Sequence, residues 1–163
     1  YGKPTQLDGV HLTSARAILY GTLMVGVIDG IDAIVFGAIR GAGPVRVFQG
    51  IAFSLLGRAT YGYGVASALL GVLLHFSVAC GIVSVYFIVS RWLRPLRQRP
   101  IVFGPLYGIV AYFIMNLVVL PMTAIGHVRF STPSVVNGIL IHMFGIGLPA
   151  AWFAARARMQ DAA

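Results

Sequence analysis

The chain alternates long apolar stretches with short polar segments, and the apolar stretches have membrane length. Four of them stand out: about Ala15 to Ile39, Val65 to Val89, Ile101 to Ile125, and Ser134 to Ala155. A helix needs roughly 20 apolar residues to cross a bilayer. The pattern therefore predicts an all-α integral membrane four-helix bundle, with residues 1–163 forming a single transmembrane domain. The first stretch contains two aspartates, which makes it the weakest of the four by hydropathy.

Between the first two stretches, Gly43 to Gly64 does not read as a plain loop. Pro44 suits a first helical position, and Val45, Phe48, Ala52, Leu55 and Leu56 recur at helical spacing. We expect an additional interfacial or re-entrant helix over about 44–58, lying flat on the membrane or dipping into it. An apolar loop packed over the bundle is the plainer alternative. No internal repeat is evident, and no cleavable signal peptide is expected from the long first stretch.

Composition agrees with the pattern. Apolar residues make up 58% of the chain and charged residues 10%, with a mean hydropathy of +0.87. Soluble domains carry about 25% charged residues, so this chain cannot cover a water-facing exterior. The net charge of +8 would ordinarily raise the question of nucleic acid. Here the arginines flank apolar stretches in short loops, where they set topology instead, and no nucleic-acid partner is expected. The single cysteine, Cys80, excludes an intrachain disulfide and a multi-cysteine metal site.

Arginine placement orients the bundle. The loop between the second and third stretches carries Arg91, Arg94, Arg97 and Arg99 and no acid, which marks it as cytoplasmic. Lys3, Arg16, Arg156 and Arg158 then fall on the same side, against Arg40, Arg46, Arg58 and Arg129 on the other. Both termini are expected inside, with Trp92 and Trp152 at the inner interface and Tyr61 and Tyr63 at the outer one. The Arg91, Arg94, Arg97 and Arg99 cluster is also a candidate for lipid-headgroup contacts.

Polar residues within the stretches hold the candidate chemistry, because placing them in hydrocarbon is costly. They are Asp29, Asp32, His75, Asn116 and His142. With about 1.5 Å rise per residue, Asp32, His75, Asn116 and His142 all fall roughly 4–6 Å to one side of the midplane, with Asp29 close to it. Small residues share their faces: Gly26, Gly30, Ala33 and Gly37 in the first stretch, Ala68, Gly71 and Ala79 beside His75, Gly138 and Gly145 beside His142. Such faces point towards other helices. Pro105, Pro121 and Pro149 are expected to kink their helices.

Three chemistries suit this layer. It can be a structural hydrogen-bonded set, a proton or ion site, or a metal or haem site. Asp32, His75 and His142 have the composition of a two-histidine, one-carboxylate centre for non-haem iron or zinc, and His75 with His142 that of a haem axial pair. Neither cofactor is favoured, since there is no HxxxH, HExxH or cysteine pair. His11 and His127 lie at or beyond the stretch ends, and Ser54, Ser77 and Ser84 have no base at triad-like spacing. No signature names a reaction, and the reading leans against an enzyme.

The runs from Asp29 to Arg58, around His75 (LLHF), Met115 to Pro121 (MNLVVLP) and His142 to Pro149 (HMFGIGLP) resemble an uncharacterised family of small four-helix bacterial inner-membrane proteins, loosely similar to the YagU type. The resemblance implies a bacterial inner membrane and a helical bundle, and it implies no activity. Two functional expectations stand. One is an accessory or structural subunit of a larger membrane assembly, respiratory or photosynthetic, meeting other membrane subunits within the lipid bilayer. The pairs Gly26/Gly30, Gly37/Gly41 and Gly104/Gly108 suit such docking and equally suit packing within the bundle. The other is a proton, ion or metal-binding protein that uses the intramembrane cluster.

Overall fold

The structure, a computed structural model, describes residues 12–157. Lys3, His11 and Arg158 lie outside the described residues. Among those described the fold is all helical, and four helical runs are long and apolar enough to cross a membrane: Ser14–Ile39, Pro44–Trp92, Pro100–Met122 and Thr132–Arg156. Apart from the second run, which starts at Pro44 because it takes in the segment before Val65, their ends fall within a few residues of the apolar stretches in the sequence. The helices are α1 (Ser14–Ile39), α2 (Pro44–Leu56), α3 (Gly64–Trp92), α4 (Arg94–Gln98), α5 (Pro100–Ile114), α6 (Thr132–Ile141) and α7 (Leu148–Arg156).

Local chemistry sets the ends. Thr13 caps α1 by accepting from the Arg16 N–H at 3.3 Å, which satisfies a donor that would otherwise be orphaned. Leu12 N–H bonds to the Arg156 carbonyl at 3.1 Å, so the start of α1 and the end of α7 meet at one end of the bundle. Leu96, from α4 in the arginine loop, packs against the core, and α4 meets α7 at that same end. The opposite end carries α2.

The third and fourth spans are not uniform α-helix. Met115–Val119 and His142–Gly147 are π-helical turns. In them the Leu120 N–H bonds back five residues to Met115, and the Leu148 N–H to Met143. A proline, Pro121 or Pro149, follows each bond directly. Proline lacks the N–H for an ordinary helical bond, and its ring crowds the carbonyl four residues earlier. Widening the preceding turn relieves both. The expected kinks at these two prolines are thus π turns, whereas Pro105 lies inside α5 with no such turn.

Helices in lipid associate through close packing and interhelical hydrogen bonds, and this bundle uses both. A Cβ at Gly108 or Gly147 would strike the backbone of the facing span, so α5 and the fourth span pack main chain on main chain. Tyr107 Oη donates to the Ile82 carbonyl at 2.7 Å and joins α5 to α3. Tyr86 Oη donates to the Leu96 carbonyl at 2.8 Å. The core between them is built from small or branched residues, among them Ala17, Val25, Ala79, Val83, Ile146 and Ala151.

The expected extra helix is present as α2, and it packs on α3 far more intimately than a helix lying on a membrane surface. Gly71, two turns into α3, sits against the Phe48 backbone with no room for a Cβ. Gln49 is buried and donates to the Gly64 carbonyl at 2.9 Å and to Ser67 Oγ at 3.3 Å. Gly57 and Gly64 bracket the 3-10 turn Gly57–Gly62 with φ of 59° and 54°. At such values a side chain meets its own backbone, so glycine makes both corners. At the far end of α2, the Ser54 carbonyl accepts from Ala124 N–H at 3.0 Å, and α2 thereby roofs the bundle from α3 across to the third span.

Candidate functional site

A cavity of about 390 Å³ lies under this roof. Gly50, Ile51 and Ser54 of α2 cover it, with Thr123 and Ile125 from the segment after the third span. Leu74, Val78 and Ile82 of α3 form one side wall, and Met115, Val119 and Leu120 form the other. Its back wall carries Val25 and Ile146 together with Asp29, His75 and His142. The chamber is an apolar space with a titratable group from each of three spans at one side.

The chamber exists because α3 and the third span do not pack closely on each other. Tyr107 bridges them at Ile82, and above that bridge the gap between them forms the chamber. Val78 and Val119 are the only lining residues that are also exposed, at 36% and 38%. One stands on α3 and the other on the third span, which places the exposed side of the chamber at the gap between these two spans.

The hydrogen-bond partners decide which imidazole nitrogen carries a proton. His75 is buried, and its Nε2 lies 2.8 Å from the Gly26 carbonyl. A carbonyl oxygen only accepts, so Nε2 must donate. Nδ1 is left facing Asp29 Oδ2 at 3.8 Å, too far for a hydrogen bond. In His142 the roles reverse: Nδ1 donates to the Gly138 carbonyl at 2.8 Å, one turn back on its own span, and Nε2 is left over. The Asp29 side chain is 27% exposed and opens into the chamber.

Glycines give His75 its place. A Cβ at Gly30 would come to 3.3 Å from His75 Nε2, and one at Gly26 would run into the Phe76 ring. The Gly26/Gly30 pair is therefore filled by α3 of the same chain. Gly37 is filled by Val47 of α2, and Gly104 and Gly108 by the fourth span. Of the two uses expected for these glycine faces, packing within the bundle is the one seen at Gly26, Gly30, Gly37, Gly104 and Gly108, while Gly41 stands open. Phe48 and Phe76 set their rings edge-on to His75, with centroids 6.1 Å and 5.5 Å away.

The five residues of the expected layer do not form one site. Asp29, His75 and His142 share the chamber. Asp32 instead accepts from Asn137 Nδ2 at 2.8 Å and forms a separate α1–α6 clasp. Asn116 turns back on its own helix and donates to the Tyr112 carbonyl at 2.9 Å. Asn137 is not among the expected residues, although it is an amide inside the fourth stretch, five residues before His142.

The metal reading does not fit this arrangement. Among the described residues no three His, Cys, Asp or Glu side chains come together as a metal site, and Asp32, the proposed carboxylate ligand, is turned to Asn137. A haem pair does not fit either, since His75 commits Nε2 to Gly26 and aims Nδ1 at Asp29. Of the loop arginines, Arg91, Arg94 and Arg99 are exposed, and Arg97 is half-buried with a buried Nε that has no hydrogen-bond partner. None of the four makes an ion pair with an acid among the described residues. No protein-family model matches the chain, and no match was found among curated proteins or solved structures.

Proposed function

We propose that this protein is a multi-pass membrane protein of a bacterial inner membrane that handles a proton or small solute at Asp29, His75 and His142. One observation carries the reading. A buried imidazole has its Nε2 proton fixed on a main-chain carbonyl, so its free Nδ1 faces a carboxylate at 3.8 Å on the wall of a chamber. Groups so placed can take up, share and release a proton without rearranging the helices, and intramembrane Asp and His sets commonly mark proton or ion paths. We favour this over an accessory-subunit role because the pairs Gly26/Gly30 and Gly104/Gly108, which supported docking to other subunits, are filled from within, as is Gly37. The arginine distribution supports cytoplasmic termini and a cytoplasmic Arg91–Arg99 loop.

The test is nitrogen NMR of 15N-histidine-labelled protein in micelles from acid to alkaline pH, with signals assigned through His75→Gln and His142→Gln. Asp29→Asn should change the titration of both imidazoles. If both titrate identically with and without the carboxylate, the three residues are not one proton-handling site.

A further inference from the structure

The back wall of the chamber presents a one-sided set of hydrogen-bonding groups, while the roof adds the Ser54 hydroxyl, which can donate or accept. With both imidazoles neutral, His75 Nδ1 and His142 Nε2 offer lone pairs and no proton, because each ring's N–H is committed to a carbonyl. The Asp29 carboxylate also only accepts. The Thr123 hydroxyl donates to the Leu120 carbonyl at 2.7 Å and so brings no free proton to the chamber. A ligand that satisfies this wall must bring donors, and in an apolar chamber it should also offset the carboxylate's charge.

A primary ammonium has three donors and one positive charge, and the back wall has three acceptor groups, one of them the Asp29 carboxyl, whose ionised form an ammonium would stabilise. An alcohol has a single donor and no charge, and a carboxylate would be repelled. A bare metal ion lacks a converged ligand set among the described residues. Apart from Ser54 and Thr123 the rest of the chamber is apolar, and its exposed side, at the gap between α3 and the third span, faces hydrocarbon. The volume, about 390 Å³, falls at the small end of the range for ligand sites, about 300–1,000 Å³.

We propose that the chamber binds a single-chain hydrophobic primary amine. The ammonium sits among Asp29, His75 Nδ1 and His142 Nε2, and the chain runs out past Val78 and Val119. The inference rests on the proposed site and names its solute. It also makes proton and amine competitors. Among the described residues Asp29, His75 and His142 are the titratable groups lining the chamber, with Asp32 acting by its charge on Asp29 and His142 from outside the lining. A proton added to the set supplies a donor and removes an acceptor.

Octylamine, octanol and octanoate, added at equal concentration to the protein in neutral maltoside micelles, test this through the 15N signals of His75 and His142. Octylamine should shift both signals saturably, and the other two compounds should not. Asp29→Asn should weaken octylamine binding at least tenfold. His142→Phe, which removes an acceptor that holds no other span, should weaken it as well and serves if Asp29→Asn does not fold. Val78→Trp should hinder binding while leaving the ligand-free signals in place. Octanol binding as tightly as octylamine, or amine binding indifferent to both Asp29→Asn and His142→Phe, would overturn the inference. If the imidazole titrations depend on Asp29 but octylamine does not bind, the amine inference falls and the proton site stands.

Discussion

His75 Nε2 and the Gly26 carbonyl, 2.8 Å apart, tie the middle of α3 to the middle of α1. The bond crosses between spans, whereas the comparable bond of His142 stays within its own helix. His75→Ala should therefore destabilise the protein more than His142→Ala. Interhelical hydrogen bonds in membranes contribute about 0.6 kcal/mol on average and about 1.7 at most. Adding the loss of packing by a buried ring, His75→Ala should cost about 2–3 kcal/mol and His142→Ala about 1 or less. Unfolding in mixed micelles measures both, and equal losses would contradict the tie.

Two glycines on α3 should respond to alanine in opposite ways. Gly71 meets the Phe48 main chain, while Gly81 has nothing within 4 Å of where a Cβ would stand. Gly71→Ala must push α2 off its seat, at a cost of about 1–3 kcal/mol. Gly81→Ala should be neutral or stabilising by up to about 1 kcal/mol, because glycine is the weaker helix former. The paired melting temperatures decide, and a harmless Gly71→Ala would mean that α2 is not held as described.

The Asp32–Asn137 clasp predicts a coupling. Asp32→Ala and Asn137→Ala should each destabilise, and the double variant should be less damaged than the sum of the two. A coupling of about 0.5–1.5 kcal/mol is expected for a contact of this kind. Additive losses would show that the two side chains do not meet in the folded protein.

Topology is open to chemical labelling. In a Cys80→Ser background, a cysteine replacing Gln98 in the arginine loop should resist a membrane-impermeant thiol reagent in intact cells. One replacing Arg129, at the opposite end, should react. The reverse pattern would invert the proposed orientation while leaving the fold intact.

The helices were legible in the sequence because each needs only its own apolar length, and α2 was legible because Pro44 and the spacing from Val45 to Leu56 need no partner to be read. The polar layer was only partly legible. Depth along a helix can be counted from span ends, but the partner of a side chain depends on rotation about the axis. Asp29 and Asp32 lie about 60° apart on that axis, enough to send one to His75 and the other to Asn137. Asn137 escaped notice because it stands near a span end, where polar residues are ordinary. The chamber could not be read at all. It depends on a gap between α3 and the third span, and a gap leaves no pattern in either.

Each π turn holds one residue more than an α turn, and an extra residue in a helix rotates everything after it by about 100°. In the fourth span the wide turn absorbs that rotation between Gly138, which packs on Tyr112, and the Ala150, Ala151 and Ala154 face of the core. The span thus tolerates a change of length at one place. Deleting exposed Phe144 from His142–Gly147 would remove the extra residue and keep both faces in phase. The cost is that Pro149 then follows an ordinary turn, where its ring crowds the carbonyl four residues earlier. The same deletion anywhere in the regular helix of α1 would swing every later side chain to the wrong neighbour.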